Sequence, residues 1–349
     1  MFNLDKIIRP NIKVLKPYSS ARDEFSGTAD IFLDANENAY GSVGIEKKVN
    51  RYPDPHQKML KEKIAKIKNV KPEQIFLGNG SDEAIDIVIR AFCEPAEDEI
   101  LLIPPTYGMY QVAADVNNVK TIKVKLKESF QIDVENILSS VTRKTKLIFI
   151  CSPNNPTGNC FRKEDIIKIC KNFDGIVVLD EAYIDFALDK TLLQKLNDYP
   201  NLIILQTFSK AWGLAGIRLG MAFAQKEIIN IFDKIKYPYN ISELTQKVAL
   251  SALKNENQKN SYVKKLLRQR TTLMKVLPEL PCVLKVYPSD SNFILVRTTC
   301  ADMLYNYFIK NNIITRNRSN VTMCKNCLRI TVGTDRENKQ LIKAWKTFK

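Results

Sequence analysis

Histidine is almost missing from this chain: His56 is the only one in 349 residues. A single imidazole excludes a histidine-rich metal centre and any relay built on two histidines. Long apolar runs are missing as well. None approaches the roughly 18 residues that a membrane-crossing helix needs, so no membrane partner is expected. The opening residues Met1-Phe-Asn-Leu-Asp5-Lys6 put an acid where an export signal carries an unbroken apolar stretch, and the expected location is the cytoplasm. Eight cysteines are too few for a disulfide scaffold at this length and read as reduced thiols. Cys324-Lys-Asn-Cys327 has C-x-x-C spacing, but no second pair completes a zinc site, and coincidence is the simpler reading. There is no internal repeat and no linker rich in glycine, proline or serine.

What is present is an ordinary globular composition, 45% hydrophobic and 26% charged. The length suggests two domains at about 150 residues each, enough to bury a core without staples. The net charge of +15 invites a nucleic-acid reading. The lysines, however, lie opposite apolar residues: Lys58, Lys61, Lys66 and Lys68 on a helical period against Leu60, Ile64 and Ile67, and Lys123, Lys125 and Lys127 alternating with Ile122, Val124 and Leu126. That is a solvated face, and no nucleic-acid-binding motif accompanies it.

Short β-branched runs at 75–77, 100–103, 121–124, 147–150, 176–179 and 202–205 alternate with amphipathic stretches at 84–92, 164–171 and 192–196. This alternation predicts an α/β architecture, a mostly parallel sheet between helices. From about Tyr239 the pattern turns to longer helices at 242–254 and 257–277. A smaller α+β unit follows, with strands at 293–297 and 328–332 and a last helix from Asp335.

Ligands of open α/β sheets bind at the carboxyl ends of the strands, and four strand ends carry unusual clusters. Gly78-Asn-Gly80-Ser81-Asp82-Glu83 opens a helix and suits a phosphate, although an ordinary N-cap at Ser81 explains it too. In Ser152-Pro-Asn-Asn155-Pro-Thr-Gly158 two prolines and a glycine hold Asn155 in one orientation, unless the segment is only a turn. Asp180-Glu-Ala-Tyr183 ends an apolar strand, where a carboxylate must be paired, protonated or used as a cap. Thr207-Phe-Ser209-Lys210, with Gly213, Gly216 and Arg218, gathers hydroxyls, an arginine fork and a lysine. A desolvated lysine there becomes the neutral amine that forms Schiff bases.

Together these describe a site for pyridoxal 5′-phosphate. With Leu33-Asp-Ala-Asn-Glu37, Arg51-Tyr-Pro-Asp54, Pro105-Thr-Tyr-Gly-Met-Tyr110, Asn154-Asn-Pro-Thr-Gly158 and Leu328-Arg-Ile-Thr-Val-Gly333, the chain resembles the fold-type I, class II aminotransferases, and most closely their histidinol-phosphate branch. The resemblance implies a large domain with a seven-stranded sheet at 39–240, a small α+β domain at 241–349, and an N-terminal segment, 1–38, associated with the small domain. It implies catalytic roles for Lys210, Asp180 and Tyr183. Asp180 pairs with the ring nitrogen, Tyr183 and Asn155 with the ring oxygen, and Tyr107 stacks on the ring. Ser81, Asp82, Thr207, Ser209 and Arg218 take the cofactor phosphate, with Tyr52 from a neighbouring subunit of a homodimer. Arg329, Arg316, Tyr18, Asn36 and Asn155 are the implied substrate residues, and no metal is implied. The implied reaction is transamination between L-histidinol phosphate and 2-oxoglutarate. A threonine-phosphate decarboxylase or an aromatic aminotransferase of the same fold is the alternative.

Overall fold

The computed structural model describes residues 2–25, 29–45 and 49–348. Its strands alternate their side chains between two apolar cores, as the period of two requires. Ile75, Leu77, Ile148, Ile150, Val177 and Leu179 enter one core, while Phe76, Leu147, Phe149, Ile176 and Val178 enter the other. The strands are β1 (Ile75–Asn79), β2 (Glu99–Leu102), β3 (Lys120–Lys123), β4 (Thr145–Cys151), β5 (Ile176–Asp180), β6 (Leu202–Thr207) and β7 (Leu219–Phe223). They form one sheet in the order β1-β7-β6-β5-β4-β2-β3. Only β7 runs antiparallel to its neighbours, so the seven-stranded, mostly parallel sheet is as expected. Helices Gly80–Phe92, Met109–Val116 and Lys226–Ile235 cover one face, and helices Lys58–Lys68 and Lys163–Asn172 the other.

A second sheet joins β8 (Val283–Val286), β9 (Phe293–Thr298), β10 (Arg316–Asn317) and β11 (Cys327–Thr331) in the order β10-β11-β9-β8. One of its faces packs into a separate core around Phe308 and Trp345. Its other face, with Leu295 and Cys327, meets the core of the large sheet, which fixes one sheet against the other.

Two segments sit elsewhere than expected. Ile7, with Phe2, Leu4, Ile8 and Ile12, packs into the large-sheet core, not the small one. Arg9 anchors this segment by donating to the Arg90 carbonyl at 3.0 Å and to Glu94 at 3.1 Å. Helix Glu243–Leu253 likewise buries Ala249 and Leu253 in the large-sheet core, so that core extends past residue 240. Both shifts have one cause: a short amphipathic segment docks wherever its apolar side is covered, and sequence periodicity does not name the partner. Among the described residues no helix is long and apolar enough to cross a membrane.

Candidate functional site

Parallel strands β4, β5 and β6 end at one edge of the sheet, with Cys151 paired to Asp180 and Asp180 to Leu205. The loops after them and the helix after β1 line an open cleft. Ser81, Asp82, Tyr107, Asn155, Asp180, Tyr183, Thr207, Ser209, Lys210 and Arg218 all line it. Every nominated cofactor residue except Tyr52 therefore meets there.

One end is built for an anion. The helix after β1 starts at Gly80, whose amide donates to the Arg218 carbonyl at 2.9 Å; the preceding Asn79 makes no side-chain cap, so the next amides, at the cleft-lining Ser81 and Asp82, are left uncapped. Ser81 lies inside the first turn, which removes the N-cap reading. Gly80 has φ +72°, and a Cβ there would stand 2.6 Å from Nη2 of Arg218. Gly220 on β7 is equally constrained, because its Cβ would fall 2.2 Å from the Ser81 nitrogen. Strand and helix thus approach more closely than any side chain allows. Around this cradle Thr207 Oγ1 and Ser209 Oγ are 3.1 Å apart, and Arg218 Nη2 lies 3.3 Å from Asp82 Oδ2. The Tyr107 hydroxyl donates to Asp82 Oδ1 at 3.2 Å.

The inner end holds Asp180, only 3% exposed and in no ion pair among the described residues. Its Oδ2 accepts from the Tyr110 hydroxyl at 2.6 Å, and its Oδ1 from the Ala182 amide at 2.9 Å. Burial pushes the carboxyl pKa up, and those two donors pull it down. Tyr110 is the functional neighbour that the sequence reading leaves without a role. Its signal is a tyrosine facing a core, where a buried hydroxyl needs a partner.

Between the ends, Lys210 Nζ sits 5.4 Å from the centre of the Tyr183 ring. Lys210 reaches solvent through the open cleft. Partial burial of its amine, then the charge of Arg329, hold its pKa below the ordinary lysine value. Burial raises the pKa of the Tyr183 hydroxyl, which keeps it a donor. Arg329, on β11, donates to Asn155 Oδ1 at 2.6 Å, which leaves the Asn155 NH₂ as the free donor. Arg329 also lies over the Phe293 ring at 5.1 Å and pairs across the ladder with Arg316.

Within a single chain Tyr52, Asn36 and Tyr18 lie away from this cleft, and the exposed Arg316 does not line it either. Tyr52 stacks on Tyr239 at 4.4 Å and lines a separate hollow with Asn36. Tyr18 is 74% exposed and lines another hollow with His56. Tyr52, Asn36 and Tyr18 belong to the stretch 15–53, whose described residues bury little apolar surface. Cys324 and Cys327 are buried free thiols joined by a tight turn. Among the described residues no cluster of three or more His, Cys, Asp or Glu side chains is placed to hold a metal.

The family of class I and II aminotransferases matches residues 26–344. The chain is 55% identical to the histidinol-phosphate aminotransferase of Cytophaga hutchinsonii, over 99% of each chain. Among solved structures it resembles the histidinol-phosphate aminotransferase from Clostridium acetobutylicum, with a TM-score of 0.79 and 26% identity, over 85% of this chain and 90% of that one. The enzyme of that name from Sinorhizobium meliloti, in complex with pyridoxal-5′-phosphate, shares the fold at a TM-score of 0.77 and 24% identity, over 85% of this chain and 82% of that one.

Proposed function

The chain belongs to the class I and II aminotransferases, and from that premise we propose that it moves an amino group between L-histidinol phosphate and 2-oxoglutarate, in histidine biosynthesis. The cleft fits pyridoxal 5′-phosphate on three observations. The glycine-lined, uncapped helix start with Arg218 suits a phosphate. The buried Asp180, in no ion pair among the described residues, suits a protonated ring nitrogen. Lys210, with its lowered pKa, suits an aldehyde. Bound there, the cofactor supplies that aldehyde and a ring able to hold the electron pair released at the substrate Cα.

The protein's own groups do the rest. Lys210 would hold the cofactor through its aldehyde, and its amine would carry the proton to and from the substrate Cα. Asp180 would keep the ring nitrogen protonated, and Tyr110 and Ala182 hold Asp180 in place and favour its ionised form against the effect of burial. Tyr183 and the Asn155 NH₂ donate to the ring oxygen, while Tyr107 covers the ring. Ser81, Asp82, Thr207, Ser209 and Arg218 grip the cofactor phosphate. Arg329 and Arg316 receive the anionic end of either substrate, a phosphate in one half-reaction and a carboxylate in the other. The juxtaposition of Lys210 and Asp180 in one cleft carries the chemistry, and the full-length likeness to a histidinol-phosphate aminotransferase supports the substrate.

The active unit is a homodimer with shared sites. Leu33, Tyr40 and Val43 are almost fully exposed, and Tyr18 and Tyr52 lie on the same stretch of chain. A second copy covers these side chains and brings Tyr52 to the neighbouring cofactor phosphate, with Tyr18 and Asn36 beside the substrate. The eight free thiols suit a reducing cytoplasm.

Mixing the loaded protein with single amino compounds tests the reading. Histidinol phosphate, and neither phenylalanine nor threonine phosphate, converts the visible absorbance to the amine form of the cofactor. Conversion by phenylalanine alone identifies an aromatic aminotransferase. Carbon dioxide release from threonine phosphate identifies the decarboxylase.

A further inference from the structure

Beside the cleft, the edge of the small sheet gathers positive charge that no ion pair among the described residues neutralises. β10 runs antiparallel to β11 with Arg316 opposite Arg329. The ladder continues one step further, because the Arg318 amide donates to the Cys327 carbonyl at 2.8 Å. With the two-residue period of a strand, Arg316 and Arg318 share one face, and Arg329 lies beside them on the adjoining strand. Among the described residues, no carboxylate is in ion-pair contact with any of the three. The Nε atoms of Arg318 and Arg329 are both buried without a hydrogen-bond partner.

A buried charged donor left unpartnered is costly, and three guanidinium groups side by side repel one another. Their mutual repulsion, added to burial, lowers the pKa of Arg318. Arg318 also interacts electrostatically with Tyr183, which lines the cofactor cleft. The cofactor phosphate has its own cradle around Gly80 and Arg218, so a second anion is required to relieve this cluster.

We propose that Arg318 is a third guanidinium of the substrate subsite and makes it selective for a dianionic phosphate over a carboxylate. The inference rests on the reading of the substrate as an amino compound carrying a phosphate ester. Two arginines satisfy a carboxylate, which has two oxygens and one charge. A phosphate presents three oxygens and up to two charges, so the third fork has an acceptor only when the phosphate is bound. Arg318 therefore strengthens binding of the phosphorylated donor and contributes much less to glutamate or 2-oxoglutarate.

The test uses the loaded protein, whose cofactor cradle is filled, and methyl phosphate as a probe that carries the dianion without an amino group. Calorimetry gives its Kd for the parent protein, Arg318→Gln and Arg318→Lys, and steady-state kinetics give KM and kcat for histidinol phosphate and glutamate. Arg318→Gln is expected to weaken methyl phosphate about tenfold. It is also expected to raise KM for histidinol phosphate about tenfold more than KM for glutamate, with the larger effect in KM and not kcat. Arg318→Lys recovers part of both losses. The glutamate reaction and the visible absorbance report that each variant is folded and loaded. If the parent protein binds methyl phosphate and Arg318→Gln binds it equally well, the role of Arg318 is overturned while the substrate reading stands. If the parent protein neither binds the probe nor prefers the phosphorylated donor, both fall together.

Discussion

Lys210 and Asp180 line one cleft, and the pKa of each is shifted by neighbours that can be removed singly. The pKa of Lys210 is held down by burial and by Arg329. Capture of the cofactor aldehyde needs the neutral amine, so the capture rate of the cofactor-free protein rises as pH rises through that pKa. Arg329→Gln removes one positive neighbour, lets the pKa climb, and moves the profile to higher pH. The rise of visible absorbance after adding cofactor at a series of pH values checks this, and an unmoved profile refutes it. The Tyr110 hydroxyl donates to Asp180 at 2.6 Å, and such a bond to a carboxylate contributes about 1.5–3 kcal/mol. Tyr110→Phe therefore raises the pKa of Asp180 and weakens cofactor binding about tenfold or more, as read by equilibrium titration. Lys210, Asp180, Tyr183 and Asn155 are legible in the sequence because each directly follows an apolar strand. Tyr110 is not, because its partner lies 70 residues away and only the folded sheet brings the two together.

The strands themselves explain which elements are visible in the sequence. β1, β2, β4, β5 and β6 are rich in Ile, Val and Leu and stand out as short apolar runs. β7, Leu-Gly-Met-Ala-Phe, carries no β-branched residue and forms because both its neighbours pair with it. Its glycine has a reason that only the fold reveals: the Ser81 amide lies where a Cβ would stand. Gly220→Ala is expected to push the helix start away from β7, costing about 1–3 kcal/mol as an overpacked site does. Because the displaced amides belong to the anion cradle, cofactor affinity falls along with stability. Urea unfolding and cofactor titration on the same variant read both, and loss of stability with unaltered affinity contradicts the assigned role of the helix start. β10 is just two residues long, too short for any sequence period to register, yet it carries Arg316 and aligns Arg318.

For the whole molecule, the sequence shows the order of α/β and α+β parts but not where their edges fall. Helix Glu243–Leu253 follows the change in pattern and still packs on the large-sheet core, because burial decides ownership. Leu33, Tyr40 and Val43 are exposed apolar residues that no other described part of the chain covers. Light scattering is expected to give twice the 39.9 kDa chain mass, and charged substitutions at Leu33 and Val43 together are expected to lower both dimer content and turnover. A fully active monomer contradicts shared sites. The central claim is that one amine, at Lys210, anchors the cofactor covalently. Borohydride reduction of the loaded protein, followed by digestion and mass mapping, is expected to leave the label on the peptide containing Lys210 and on none other. A label at a different lysine, or no label, contradicts it.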